Sequence, residues 1–345
     1  MKNLFIGIDF SKLKFDVSFF EIGKMNEIYH CEFMNDKEGF SSLLKWIASL
    51  SAVKREDWLF CGEHTGLYCV GLTEFLLKKD LFIWLENPLR IKRSSGIKRE
   101  KSDKTDSREI AEYAYRYQDR ARAYELPEKS FEELQLLLAF RERLVKNKVS
   151  LEVSGSEMRR IYKRNSTARF IHEQSQSDIA RIEKEIETIE KKMLEIIESS
   201  PALKENYELT VSVKGIGIIN ALTIIIHTRN FTCFENSRQY SCYGGMAPFK
   251  NSSGTSLNKG SHVSKLANRQ IKTLLTQASR SAVLYDKELR DYYQRKIAEG
   301  KHKNIALNNV RNKLLHRVFA VVRNKEAYRD NYRNPNIPIT EIQKN

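Results

Sequence analysis

Four acidic side chains, Asp9, Glu63, Asp103 and Asp106, stand where a folded chain could gather them round a metal ion. Chemistry on a phosphodiester commonly uses two or more carboxylates, because a hard cation such as magnesium prefers oxygen ligands and keeps positions open for substrate. Asp9 ends the apolar run Leu4 to Ile8, and Glu63 ends the run Trp58 to Gly62. If those runs are neighbouring strands, the two carboxylates converge at one edge of a sheet. Asp103 and Asp106 are three residues apart, a spacing that puts both on one face of a helix. Taken singly, each acid has an ordinary explanation. Asp9 precedes a turn, Glu63 closes a strand, and Asp103 or Asp106 caps the helix that continues from Arg108 to Tyr117.

The elements that must position these acids follow from the hydrophobic pattern. Between Met1 and about Pro127, short apolar runs alternate with helical ones. Leu4 to Asp9 reads as a buried strand, and Phe15 to Phe20 and Ile28 to Phe33 extend it into an antiparallel meander. Helix Lys37 to Leu50, strand Trp58 to Gly62, helix Leu67 to Lys79 and strand Phe82 to Leu85 follow, with Pro88 closing the last. That order predicts an RNase H-like, RuvC-like domain over residues 1–127. From Ser130 the texture changes: Ser130-Phe-Glu-Glu133 has the form of a capping box that opens a long helix. Ile179, Ile182, Ile186, Ile189, Met193 and Ile196 then recur at steps of three and four, as in a coiled-coil seam. A helical hairpin over 128–200 is expected, serving spacing or self-association. Residues 201–328 predict a mostly helical domain interrupted by a loop rich in Gly, Ser and Asn from Gly244 to Gly260, and 329–345 a loose tail. The fold class expected is therefore α/β plus α.

The partner class follows from charge. The chain of 345 residues carries 59 Lys and Arg against 44 Asp and Glu, a formal charge of +15 that favours polyanions. A run containing Arg90, Lys92, Arg93, Lys98 and Arg99 leads directly into Asp103, where a strand of nucleic acid would have to pass. Lys250, Lys259, Lys265, Arg269 and Lys272 form a second basic group. Lys214, Gly215 and Gly217 mark a turn whose glycines either let backbone amides approach a phosphate or merely shape the chain. The five cysteines include no Cys-x-x-Cys pair, which argues against a zinc or dithiol motif and suits a reducing cytoplasm. No apolar run approaches the ~20 residues that span a bilayer, so neither export nor membrane insertion is expected.

Three segments together have a further meaning. Gly7-Ile-Asp9-Phe-Ser-Lys12, Gly62-Glu63-His-Thr-Gly66 and Lys101-Ser-Asp103-Lys-Thr-Asp106-Ser-Arg-Glu-Ile-Ala111 resemble the DEDD insertion-sequence transposases, a family that includes Piv-type DNA invertases and bridge-RNA-guided recombinases. Leu209 to Gly217, Tyr243 to Pro248 with Ser252-Ser253-Gly254, and Ser264 to Arg269 resemble that family's C-terminal domain, so the likeness runs in order from about Ile6 to Arg323. Lys214 stands where a Pro is frequent, and Leu266-Ala267 replaces a step that usually contains Gly. The resemblance implies a metal site of Asp9, Glu63, Asp103 and Asp106 holding Mg2+, with Mn2+ as a substitute. It also implies a serine nucleophile, assigned to Ser253 among neighbours Ser252, Ser256, Ser261 and Ser264. DNA at element ends and target, an element-encoded guide RNA and a homo-oligomer, dimer or tetramer, are the implied partners. Two other readings stay open: a Holliday-junction-type nuclease using metal-activated water, and a nucleic-acid-binding scaffold without activity.

Overall fold

The run Leu4–Phe10 (β1) is the centre of a mixed sheet because both of its faces are covered. Leu4, Phe5, Ile6 and Ile8 have no exposed surface. The computed structural model describes residues 2–64, 66–94, 103–253, 257–263 and 267–330, the stretches 250–253 and 257–262 by backbone only. The chain divides into two units, Met1–Leu126 and Pro127–Asn345.

In the first unit, β1 pairs antiparallel with Lys14–Glu21 (β2), which pairs with Tyr29–Met34 (β3). On its other side β1 runs parallel to Trp58–Glu63 (β4), and β4 to Ile83–Glu86 (β5), giving the order β3-β2-β1-β4-β5. Helices Lys37–Leu50 (α1) and Leu67–Leu77 (α2) close one face, where Ile6, Ile8 and Phe10 meet Phe40, Leu43, Ile47, Leu72 and Leu76. The opposite face belongs to Pro88–Ser94 (α3) and Asp103–Arg116 (α4). There Phe5, Phe20, Leu59, Cys61 and Trp84 pack with Ile91, Ile110, Ala111 and Ala114. Alternation along β1 thus assigns odd positions to the α4 side. The closest approach is at Gly7: a Cβ there would lie 2.1 Å from the Ser107 carbonyl oxygen and 2.3 Å from the Ala111 nitrogen. Only a glycine lets the helix backbone rest on the strand.

The second unit begins with two long helices, Lys129–Ile161 (α5) and Ser166–Glu198 (α6), which form an antiparallel hairpin. Ion pairs Arg141–Glu190 at 2.7 Å and Lys148–Glu183 at 2.6 Å mark the antiparallel register. The expected capping box does not start α5. The helix begins one residue earlier, so Ser130 lies within its first turn, and the cap residue Glu128 makes no side-chain capping bond. The isoleucine stripe is buried inside the chain itself. Ile182, Ile189 and Met193 pack on Leu134, Leu138 and Leu144, and on Leu203, Leu222, Ile225 and Ile226 from Pro201–Ser212 (α7) and Ile218–Thr228 (α8).

Helix Ser237–Tyr243 (α9) precedes the stretch expected to be a loop, which is instead a hairpin of Pro248–Ser253 (β6) and Leu257–Val263 (β7), with an irregularity between Lys250 and Ser252. Helices Arg269–Tyr285 (α10), Lys287–Ala298 (α11) and Lys303–Asn324 (α12) complete a second core around Ile271, Leu275, Ala282, Val310, Leu314 and Val318. Among the described residues no helix is long and apolar enough to cross a membrane.

Candidate active site

Asp9 is the sixth residue of β1, on the same side as Gly7, and so faces α4. The last paired residues of β1 and β4 are Ile8 and Gly62, so Asp9 and Glu63 leave adjacent parallel strands side by side at their carboxyl ends. Glu63 shares its face with Cys61, which is buried against α4. On α4, Asp103 and Asp106 occupy the first turn. Asp103 lies one turn before Ser107 and Asp106 one turn before Ile110, two residues that α4 buries against the sheet. Their position also suits the helix, whose N-terminal end favours negative charge.

Electrostatics report the same convergence. The Asp9 carboxyl is raised to about 6, first by burial and then by the charges of Asp106, Glu63, Asp103 and Asp16. The other three acids singled out in the sequence therefore all act on Asp9. Their donors are all carboxylate oxygens, the kind a hard divalent cation takes. Among the described residues, no three His, Cys, Asp or Glu side chains are gathered closely enough to hold a metal ion as they stand.

Two further acids complete a row across the sheet that the sequence reading overlooked. Asp16 on β2 lies directly opposite Asp9, and Glu86 on β5 directly opposite Glu63. Both are buried, and both are engaged. Asp16 pairs with His30 Nε2 at 3.0 Å. Glu86 accepts from the Tyr113 hydroxyl at 3.1 Å and from the Asn87 backbone at 2.7 Å. The Tyr113 hydroxyl is pushed up to about 12, by burial first and then by Glu86. The outer pair thus braces the row while Asp9 and Glu63, each only half-buried, form its centre. The available signal was the alternation of β2, where Asp16 sits between the apolar Phe15 and Val17.

The expected basic residues divide into several groups. Arg90, Lys92 and Arg93 are exposed on the short helix α3, and Arg90 lies 3.5 Å from Glu86. Lys98, Arg99 and Lys265 fall outside the described residues, as does the tail from 331 on. Lys214 is ion-paired with Asp330. Gly215 is fixed by conformation: its φ is +95°, and a Cβ would lie 2.6 Å from that of Ala282. Gly217 caps α8 with open space around it. Lys250 and Lys259 lie on β6 and β7, Arg269 is exposed at the start of α10, and Lys272 is half-buried on that helix. Ser253 ends β6 opposite Leu257, at the tip of the hairpin. A different serine of this unit has a base beside it: Ser237 Oγ lies 2.7 Å from His316 Nδ1.

Comparison with known proteins places this arrangement. A family model described as a transposase, of the DEDD and IS110 type, matches residues 6–154. A second, described as the transposase IS116/IS110/IS902 family, matches residues 207–294. The pilin gene-inverting protein of Moraxella bovis is 25% identical over 338 residues, 95% of this chain and 98% of that protein. The transposase for insertion sequence element IS1111A of Coxiella burnetii is 25% identical over 258 residues, 68% of this chain and 70% of that one. An IS110 protein of Streptomyces coelicolor is 30% identical over 130 residues, 37% of this chain and 32% of its own length. The chain belongs to the IS110-type family of DEDD transposases and is a DNA transposase or recombinase enzyme.

Proposed function

We propose that this enzyme cuts and rejoins DNA at the ends and target of a mobile element, with a divalent metal held by Asp9, Glu63, Asp103 and Asp106 and with Ser253 as nucleophile. The observation that carries the reading is the seating of α4 on Gly7, which supports placing Asp103 and Asp106 over the strand ends bearing Asp9 and Glu63. The β3-β2-β1-β4-β5 order, antiparallel and then parallel, supports an RNase H-like reading of the first unit. The donors suit Mg2+, with Mn2+ as substitute; bound there, such an ion neutralises the carboxylates and polarises the phosphodiester. Ser253 Oγ bonds to the scissile phosphorus, its proton passes to solvent, and the broken strand leaves with a hydroxyl end. Attack by another strand's hydroxyl reverses the ester and completes joining.

The +15 charge suits two polyanions at once, an element-encoded guide RNA and the DNA it pairs with. Base pairing then reads sequence while Arg90, Lys92, Arg93 and Arg269 hold backbone. The acids and Ser253 lie in different units, so a dimer or tetramer can complete each site from two subunits. Because the isoleucine stripe is covered within the chain, self-association falls to other surfaces, such as the exposed Leu136, Phe140 and Val153 of α5. A second reading, a junction-selective nuclease using metal-activated water, is favoured by all four acids lying in one unit. Magnesium-dependent cleavage of element-end DNA separates the readings. Recombination predicts no cleavage by Asp9→Asn and no protein–DNA adduct with Ser253→Ala; normal cleavage by Ser253→Ala, with no adduct in the parent, establishes the nuclease instead.

A further inference from the structure

Among the described residues of the second unit, one buried guanidinium has no carboxylate paired with it. Arg311 on α12 is 8% exposed. Its Nη1 donates to the neutral Asn308 Oδ1 at 3.1 Å, and its Nε is shielded from solvent with no hydrogen-bond partner among the described residues. The charge acting on it is another cation, Arg280 on α10, which adds to burial in pulling the guanidinium pKa down. Arginine does not escape by deprotonating, since its guanidinium stays protonated far above neutral pH. A buried charge without a counter-ion is strongly unfavourable, and a helical core would be more stable with an apolar side chain in that place.

The surroundings show which part of the enzyme this charge serves. Asn308 Nδ2 donates to the Met246 carbonyl at 2.8 Å, and Asn312 Nδ2 to the same oxygen at 3.3 Å. Asn312 Oδ1 accepts from Ser241 Oγ. Asn308 and Asn312 of α12 therefore grip the turn between α9 and β6, and Arg311 bonds to the first of them. From that turn the chain runs directly into Pro248–Ser253, the strand that ends in Ser253. Arg280 is exposed, so the pair of cations runs from the interior of the unit to its surface.

We propose that Arg311 and Arg280 form a phosphate site in the second unit, taking a backbone phosphate of a nucleic-acid strand laid along the β6–β7 hairpin. The anion supplies the missing counter-charge. This deepens the recombinase reading, on which it rests for the identity of the ligand, but the site itself depends on charge and burial and not on Ser253 being the nucleophile. A side chain kept only for packing would lose stability when replaced; one kept for an anion gains it.

The test uses the full chain and measures two properties of Arg311→Met, Arg311→Lys and Arg280→Gln. Thermal unfolding is followed with and without inorganic phosphate, and binding of single-stranded DNA and RNA oligonucleotides of one sequence is followed across a salt series. Arg311→Met is expected to melt higher than the parent without ligand, to lose the rise in midpoint that phosphate causes, and to bind the occupying strand about tenfold more weakly, with a salt slope reduced by about one. Whichever oligonucleotide loses affinity is the strand that occupies the site. Arg280→Gln, at an exposed position, keeps the fold and weakens the same strand, and Arg311→Lys retains part of the affinity. Melting and binding are both read without strand cleavage, so a failure of the nucleophile assignment leaves these results unchanged. If Arg311→Met melts lower and Arg280→Gln binds both oligonucleotides as the parent does, Arg311 is a packing residue and the phosphate site does not exist.

Discussion

Replacing Asp9 with asparagine should stabilise the metal-free protein while removing its response to magnesium. Asp9 is held at about 6 by burial and by neighbouring carboxylates, against about 4 for an ordinary aspartate. A group raised in the folded state contributes stability that is fully present below its unfolded pKa and is lost as pH rises through the folded one. The metal-free parent therefore weakens as pH climbs from about 4 to about 6.5, and Asp9→Asn does not share that loss. At about 1.4 kcal/mol for each tenfold change the ceiling is near 3 kcal/mol; because Asp9 is only half-buried, solvent screening reduces this to about 1–2 kcal/mol. The assay is urea unfolding in chelator at several pH values, followed by tryptophan fluorescence. All three tryptophans, Trp46, Trp58 and Trp84, lie in the first unit, so the signal reports on that unit. At pH 8 the variant should be the more stable, and the gap should narrow towards pH 4. Adding magnesium should raise the parent's midpoint and leave the variant's in place. Equal stability at pH 8, or equal stabilisation of both proteins by magnesium, would refute the idea that Asp9 is strained by the acids around it.

Three further outcomes follow from the same geometry. Gly7→Ala places a methyl 2.1 Å from the Ser107 carbonyl oxygen, so it should destabilise the first unit by at least about 1–3 kcal/mol in the fluorescence assay and abolish the magnesium response of whatever remains folded. Gly215→Ala meets both a φ of +95° and Ala282, and should lower stability by about 1–3 kcal/mol, measured by helical circular dichroism, whether or not DNA is present. If the proposed phosphate contact holds, Arg93→Ala, at an exposed position on α3, should weaken DNA binding without changing sequence preference and reduce the salt slope by about one.

The parts of this site that could be read from sequence are those set by local pattern. Within β1 and β4 an apolar run leads straight to an acid, Asp9 or Glu63, and Asp103 and Asp106 share a face through helical spacing alone. What local pattern does not contain is which strand lies beside which. Asp16 and Glu86 joined the row only through cross-strand register, and their partners His30 and Tyr113 are distant in sequence. The Ile179 to Ile196 stripe was readable as a packing surface, but periodicity does not say whether the surface meets a second chain or, as here, Leu134, Leu138 and Leu144 of its own. The stretch from Gly244 was read as a loop because its Gly, Ser and Asn content suits turns; backbone pairing of Pro248 with Val263 draws it into a hairpin regardless of composition. Arg311 had no signal at all, since a lone arginine in a helix reads as an exposed one.

The central claim is that Ser253 bonds to DNA under the control of the four acids. Its most direct test is to incubate the full chain with element-end DNA and magnesium, trap the products in denaturant, and locate any nucleotide-bearing peptide by mass spectrometry. The account predicts an adduct on the peptide containing Ser253, absent with chelator and absent in Asp9→Asn. An adduct on the Ser237 peptide, whose hydroxyl lies beside His316 Nδ1, or cleaved DNA with no adduct on any peptide, would contradict it.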